Sequence, residues 1–140
     1  MATPYETVYD RFLSQTTDFN LAELDDYTLN EMLKSWLHSA IISVRTSSDL
    51  SQRDDDNEEF QSDLNDLDIE LLTKGMTLAW IDQALNSTEN VLQFIGGKEE
   101  KYYSQANHID ALRAMREDVR VDMKRLHSYS TYKNSSYFDD

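Results

Sequence analysis

The stretch Asp25–Ser47, DDYTLNEMLKSWLHSAIISVRTS, decides the fold class of this 140-residue chain. Its apolar side chains recur at spacings of three and four residues, the period of an α-helix with a wide buried face. The pattern predicts a helix that starts near Asp25, Asp26 or Thr28, ends near Ser47 and lies at the centre of a bundle. The predicted buried face consists of Leu29, Met32, Leu33, Trp36, Leu37, Ala40, Ile41 and Val44.

The N-terminal residues favour a helix as well. The chain contains only 3 Gly and 1 Pro and shows no sustained alternation of polar and apolar residues, so strands are not predicted. Thr3-Pro4-Tyr5-Glu6 is typical of a helix start, with Thr3 as the capping residue and Pro4 at the first helical position. The polar run at residues 16–20 ends this helix.

A third helix is predicted to begin near Asn65 or Asp66. It contains Gly75, and glycine inside a helix costs about 1 kcal/mol relative to alanine, so we expect it to permit close approach of a neighbouring helix. The capping-box pattern of Asn86-Ser87-Thr88-Glu89 predicts a separate short helix that ends at Ile95-Gly96-Gly97.

The last long helix is predicted to start at Ser104 and to end near His127. Its bases, Arg113, Arg116, Arg120, Lys124 and Arg125, interleave with acids, so the helix is nearly neutral. Such a face favours ion pairs or a subunit interface over nucleic-acid binding. Arg113, Arg116 and Arg120, with Tyr102 and Tyr103 just before the helix, are therefore predicted to bind a protein partner.

The C-terminal residues carry aromatic rings that this bundle does not need. The predicted fold is all-α, a small helical bundle of about four to five helices over residues 1–127 with an extended C-terminal arm over residues 128–140. Rings left in water forfeit burial energy, and disordered tails are usually poor in them. We therefore predict that the arm binds a partner through Tyr129, Tyr132, Tyr137 and Phe138.

Composition limits the remaining choices. The chain has 39% hydrophobic residues, enough for one core, and no cysteine, so neither disulfides nor thiolate metal sites are available. No segment approaches the roughly 20 apolar residues of a membrane helix, and no signal peptide is predicted in residues 1–20, which carry Glu6, Asp10 and Asp18 and no continuous apolar run. We expect a soluble protein of a reducing compartment that needs no cofactor and binds no membrane.

Charge is distributed unevenly. The net charge is -14, and residues 1–70 hold 17 acids against 4 bases, whereas residues 71–140 hold 10 acids against 9 bases. Such a field repels nucleic acid and anionic membranes. The acidic side could meet a basic protein, line a passage through which DNA slides, or simply remain solvated.

Seven carboxylates and a single base, Arg53, lie between Asp49 and Asp63. An EF-hand loop needs glycine at position 6 and glutamate at position 12. Counted from Asp49, these positions are Asp54 and Phe60, so an EF-hand site is excluded. The segment is predicted to be a solvated loop or a loop that faces a basic partner. A weak cation site remains the alternative, formed by Asp54, Asp55, Asp56, Glu58 and Glu59.

No catalytic constellation is recognisable. His38 lies beside the apolar face of the second helix, and no titratable partner at recognisable spacing accompanies it, so a structural role is predicted. We therefore expect no enzyme. A carboxylate-metal hydrolase would need acids on facing helices with a histidine nearby, whereas the dense acids here lie in one predicted loop.

Five short segments, taken in order along the chain, carry a resemblance to a known family: Tyr9–Leu13, Asp49–Asp55, Ala79–Ile81, Ser87–Asn90 and Tyr103–His108. With them the chain resembles small structural proteins of tailed phages that infect Gram-positive hosts, and it is similar to a head-to-tail connector, also called an adaptor or neck protein. The resemblance extends over most of the chain without a diagnostic motif.

The resemblance implies a virion protein that is assembled in the host cytoplasm and joins the capsid portal to the tail. In such connectors helical bundles form a ring, commonly a dodecamer, and terminal arms contact neighbouring subunits, the portal or another neck or tail protein. Acidic residues often line the channel through which DNA passes without sequence-specific binding.

A different function remains open. A small acidic protein without cysteine could be a DNA mimic that inhibits a host DNA-binding enzyme. Its carboxylates would then lie at phosphate-like spacing.

Overall fold

The computed structural model describes residues 2–16, 24–46, 48–95 and 99–133, except the side chains of 88–95, 99–105 and 130–133. These residues form four helices and a small sheet, which confirms the predicted all-α bundle. In chain order the elements are β1 (Thr3–Pro4), α1 (Tyr5–Gln15), α2 (Asp26–Ser43), β2 (Arg53–Asp54), β3 (Glu59–Phe60), α3 (Asp66–Ile95) and α4 (Glu99–Lys133).

The central element is α3, because α1, α2 and α4 all pack against it. The prediction that the second helix forms the centre is therefore wrong. The indole of Trp36 in α2 donates a hydrogen bond to Gln83 Oε1 in α3 at 2.9 Å. Only residues 96–98 separate α3 from α4, and so short a connection makes the two helices antiparallel neighbours.

Gly75 is the point of closest approach between α2 and α3. A Cβ at this position would lie 2.7 Å from Ala40 Cβ, closer than real Cβ atoms approach, and 3.0 Å from Val44 Cγ1, which is a tight contact. The predicted role of Gly75 in close helix packing is confirmed. Glycine at this position lets the α2 backbone approach the axis of α3.

A three-stranded antiparallel sheet in the order β1-β3-β2 closes one side of the bundle. Thr3 and Arg53 both lie opposite Phe60, whose fully buried ring packs against Tyr5 at a centroid distance of 4.8 Å. The sequence did not predict these strands, because a two-residue strand is too short to show alternation.

Thr3 does not cap α1, contrary to prediction. Pro4 occupies the cap position, and the buried Thr3 belongs to β1. Its hydroxyl donates to the Ser62 carbonyl at 2.9 Å and accepts from the Leu64 amide at 2.9 Å. Thr3 therefore fixes the chain just after β3 to the N-terminus.

The structure also changes four predictions about where helices begin and end. The separate short helix does not exist, since α3 runs without a break to Ile95. α2 ends at Ser43, and its cap residue Val44 donates its amide hydrogen to the Ala40 carbonyl. α4 starts at Glu99 and continues to Lys133, so residues 128–133 are helical rather than extended, and residues 134–140 lie outside the described residues.

Candidate binding surfaces

The last helix contacts the bundle along one narrow seam. Among the side chains of α4 that the structure describes, the buried ones are Ile109, Leu112, Val119 and Met123, whose spacings of three, seven and four residues place them on one face. Much of the remaining circumference is exposed, including Met115 and Val121, which are 43% and 47% exposed. A helix held along one seam leaves most of its surface available for another protein.

A row of four bases lies beside the seam, and we call it the basic stripe: Arg113, Arg116, Arg120 and Lys124. Spacings of three and four residues place them along one side of α4. Arg116 pairs with Asp82 of α3 at 3.6 Å, so part of the stripe stabilises the helix pair. Arg120 and Lys124 are exposed and form no ion pair with any residue that the structure describes.

Only one of the predicted aromatic contact residues has a described side chain. Tyr129 lies on α4 near its C-terminal end and is 55% exposed. Tyr102, Tyr103 and Tyr132 belong to the same helix, but their side chains lie outside the described residues, as do Tyr137 and Phe138 entirely.

The acidic residues that separate α2 from α3 form an anchored structure rather than a solvated loop. We call residues 53–60, which comprise β2, a turn and β3, the acidic hairpin. Its second strand, β3, is anchored by the buried ring of Phe60, and the backbone amide of Tyr5 donates a hydrogen bond to the Glu58 carbonyl at 2.8 Å. The hairpin is thereby fixed to the start of α1.

Asp55 joins the acidic hairpin to two helices. Its Oδ1 accepts the Tyr5 hydroxyl of α1 at 2.5 Å and lies 3.2 Å from Nε2 of His38 in α2. The Arg53 guanidinium Nε is 3.4 Å from the same oxygen, and Lys34 Nζ donates to the Asp55 carbonyl at 3.4 Å. His38 therefore has a titratable partner that its sequence surroundings did not indicate.

We call these residues, Tyr5, Lys34, His38, Arg53 and Asp55, the Asp55 cluster, and their contacts shift the pKa of Asp55 and of Tyr5. The hydrogen bond from Tyr5, followed by the bond and charge of His38, holds the pKa of Asp55 below its usual value. Burial, reinforced by the Asp55 carboxylate, raises the pKa of Tyr5. A carboxylate that stays ionised beside a hydroxyl that stays protonated favours a lasting hydrogen bond over proton transfer.

The turn of the acidic hairpin is stabilised by hydrogen bonds among its own polar groups. Asp54 accepts hydrogen bonds from the backbone amides of Asp56 and Asn57, and from the Asn57 side chain at 2.7 Å, which lowers the pKa of Asp54. Glu58 adopts a left-handed φ of 54°, and its carboxylate accepts a hydrogen bond from the side-chain Nδ2 of Asn30 at 3.2 Å. The side chains of Asp56 and Glu59 make no hydrogen bond or ion pair with the described residues.

A second contact fixes the end of α4 to the chain after α2. His127 Nε2 accepts a hydrogen bond from the Arg45 amide at 3.2 Å. Partial burial, followed by the charge of Arg45, lowers the pKa of His127, which favours the neutral imidazole that this bond requires.

The pairing of His38 with Asp55 resembles two members of a nucleophilic triad. Within the described part of the chain, no hydroxyl or thiol forms a hydrogen bond with His38 as the third member. The described residues likewise contain no group of three or more acidic or histidine side chains arranged to hold a metal ion. The chemistry that this arrangement supplies is the attachment of the acidic hairpin to α1 and α2.

The described helices include none with both the length and the apolar character needed to cross a bilayer. The bases of α4 could be read from the sequence, although as residues spread over the helix rather than as a stripe. The Asp55 cluster could not be located, because Tyr5 and His38 are 50 and 17 residues from Asp55 in the chain. Comparisons with protein-family models, curated proteins and solved structures find no match to this chain.

Proposed function

We propose that this protein is a non-enzymatic structural component of a tailed-phage virion, a ring-forming connector between the capsid portal and the tail. It acts by binding other protein chains. The C-terminal end of α4 and the residues that follow contact the portal or a neighbouring neck subunit.

The observation that supports this proposal is the exposure of α4. The helix buries one seam against α3, while Tyr129 remains 55% exposed near its end. Aromatic side chains are enriched at protein interfaces, where burial of the ring recovers free energy that water exposure forfeits. A partner that covers this end of α4 would bury Tyr129 together with the following residues.

The charge distribution agrees with a connector. The acids concentrate in residues 1–70, and a channel lined by acidic side chains lets DNA pass without adhering to the wall. In this proposal the C-terminal end of α4 provides the portal contact, and acids of the N-terminal half provide the repulsive surface.

The proposal is tested by deleting residues 128–140 and measuring assembly onto the portal protein of the same phage. We expect the deletion to abolish binding but to retain the bundle, because the last core contacts of α4 among the described side chains, Met123 and Leu126, precede the deleted residues. Binding is measured from the mass of the portal complex, and the fold from circular dichroism.

Two further variants locate the contact within the C-terminal residues, and a third serves as their control. Deletion of residues 134–140 keeps all of α4, and Tyr129→Ser removes one exposed ring. Tyr27→Ser is the matched control, since Tyr27 is 75% exposed on α2, away from this end of α4. Full portal binding by the chain that lacks residues 128–140 would refute the proposed contact.

The acidic hairpin favours one alternative, an acidic DNA mimic that occupies a host DNA-binding enzyme. Asp56 and Glu59 are carboxylates without an ion-pair partner among the described residues, as such a mimic requires. A purified nuclease or polymerase that binds this protein in competition with duplex DNA, with no binding to the portal, would favour the mimic.

A further inference from the structure

We propose that the basic stripe of α4 binds the acidic hairpin of a second copy of this protein. The contact is head-to-tail, because the stripe of one copy meets the hairpin of the next. It deepens the proposed connector function, on which it rests for the expectation that several copies assemble together.

The first argument is that two bases of the stripe are exposed and lack an ion-pair partner among the described residues. Arg120 and Lys124 project from an exposed face of α4 and have no ion-pair partner among the described residues. Arg116, one turn away, shows that this side of α4 can pair with carboxylates, since it lies 3.6 Å from Asp82. These two bases lie one turn apart on a side of α4 that also carries the exposed Glu117, and the ion pairs of the described residues join neither base to it.

The second argument is the acidic hairpin. Asp56 is exposed and Glu59 partly so, and their carboxylates have no ion-pair or hydrogen-bond partner among the described residues. The hairpin is held by the buried Phe60 and by the bond from Tyr5 to Asp55, so these carboxylates are presented on a fixed support. A fixed acidic surface binds a row of bases at a lower cost in conformational entropy than a mobile loop does.

The third argument is that the two surfaces do not pair with each other in one molecule. No ion pair joins the stripe to the hairpin over the described residues. Complementary surfaces at different places on one chain favour a heterologous contact, which repeats to give a ring or a filament. A second copy therefore satisfies the bases of the first while offering its own to a third.

Charge exchange tests this contact with the full-length protein and no portal. The stripe variant Arg120→Glu/Lys124→Glu and the hairpin variant Asp56→Lys/Glu59→Lys each place like charges at both sides of the proposed contact. Each should lower the self-association constant by at least about tenfold, roughly 1.4 kcal/mol. Sedimentation velocity over a concentration series gives the constant.

Mixing the two variants should restore association, because the reversed stripe of one then meets the reversed hairpin of the other. The control Arg45→Glu/Arg125→Glu has the same net charge as the stripe variant but changes bases outside the stripe, and it should associate like the original chain. Association should weaken from about 0.01 M to about 0.15 M salt, since screening shortens the Debye length from about 30 Å to about 8 Å.

The inference is overturned if the unaltered protein stays monomeric throughout the concentration series, or if the mixed variants fail to associate. Neither outcome contradicts the proposed binding of α4 to the portal. Conversely, salt-dependent self-association with no binding to the portal supports the stripe contact and refutes the proposed connector function.

Discussion

At the scale of single residues, Asp55 contributes more to the fold than its position in an acidic segment indicates. Its Oδ1 accepts the Tyr5 hydroxyl at 2.5 Å and lies 3.2 Å from His38 Nε2. These partners belong to α1 and α2, so one side chain connects two helices to the acidic hairpin. Removal of the Tyr5 hydroxyl should therefore affect the stability of the whole bundle.

We expect Tyr5→Phe to lower the free energy of unfolding by about 1 kcal/mol, the usual net contribution of one hydrogen bond. Tyr9→Phe is the matched control, because Tyr9 is only 5% exposed and its hydroxyl has no hydrogen-bond partner among the described residues. Loss of that hydroxyl should be neutral or stabilising. Urea unfolding at pH 7 measures both, and equal losses would contradict the role of Asp55.

The cost of Tyr5→Phe should depend on pH. The pKa of Asp55 is lowered in the folded protein, whereas the pKa of an aspartate in an unfolded chain is about 3.9. The stabilisation is therefore complete above about pH 5 and is lost as the pH falls through the folded value. The difference in the free energy of unfolding between Tyr5→Phe and the unaltered protein should narrow below about pH 4. A difference that stays constant down to about pH 3 would exclude Asp55 as its cause.

At the scale of elements, apolar periodicity predicted the helices but not all their ends. Capping signals are local, and the pattern at Asn86–Glu89 did not break α3, because polar residues are tolerated inside a helix that packs against three others. The sheet was missed because its strands have two residues each. The Asp55 cluster was missed because it depends on contacts distant in sequence, whereas the basic stripe follows from helical spacing alone.

The contact at Gly75 gives a prediction about helix packing. Gly75→Ala gains about 1 kcal/mol of helix propensity but places a methyl group 2.7 Å from Ala40 Cβ. Overpacking of this kind costs typically about 1–3 kcal/mol, so we expect a net loss of up to about 2 kcal/mol. Thermal and urea unfolding measure the change, and a gain in stability would mean that α2 can shift away without cost.

A reciprocal variant separates the clash from other effects of the substitution. Ala40→Gly/Gly75→Ala moves the methyl group from α2 to α3 and removes the 2.7 Å contact. The double variant should be more stable, by about 1 kcal/mol, than the sum of the two single changes predicts. Strict additivity would show that the two positions do not interact.

At the scale of the whole molecule, unbalanced charge opposes the compact state. The acids of residues 1–70 form few ion pairs among the described residues. Arg11 pairs with Asp66 and Glu70, Lys74 with Glu70, and Arg53 with Asp55, which also lies 3.2 Å from His38. Most acids of residues 1–70 therefore contribute repulsion rather than attraction. A ring that brought basic stripes against acidic hairpins would reduce this repulsion in each copy, so assembly and stability are coupled through charge.

This repulsion predicts that moderate salt stabilises the monomer. Raising the salt from about 0.01 M to about 0.15 M shortens the Debye length from about 30 Å to about 8 Å, and we expect a gain of roughly 1 kcal/mol in the free energy of unfolding. The measurement uses urea, which is uncharged, at protein concentrations where the chain is monomeric. The control Asp56→Lys/Glu59→Lys changes the net charge from -14 to -10 and should depend less on salt. If salt instead lowered the stability of the unaltered monomer, attractive pairs would outweigh repulsion, and the charge-driven assembly would lose its thermodynamic basis.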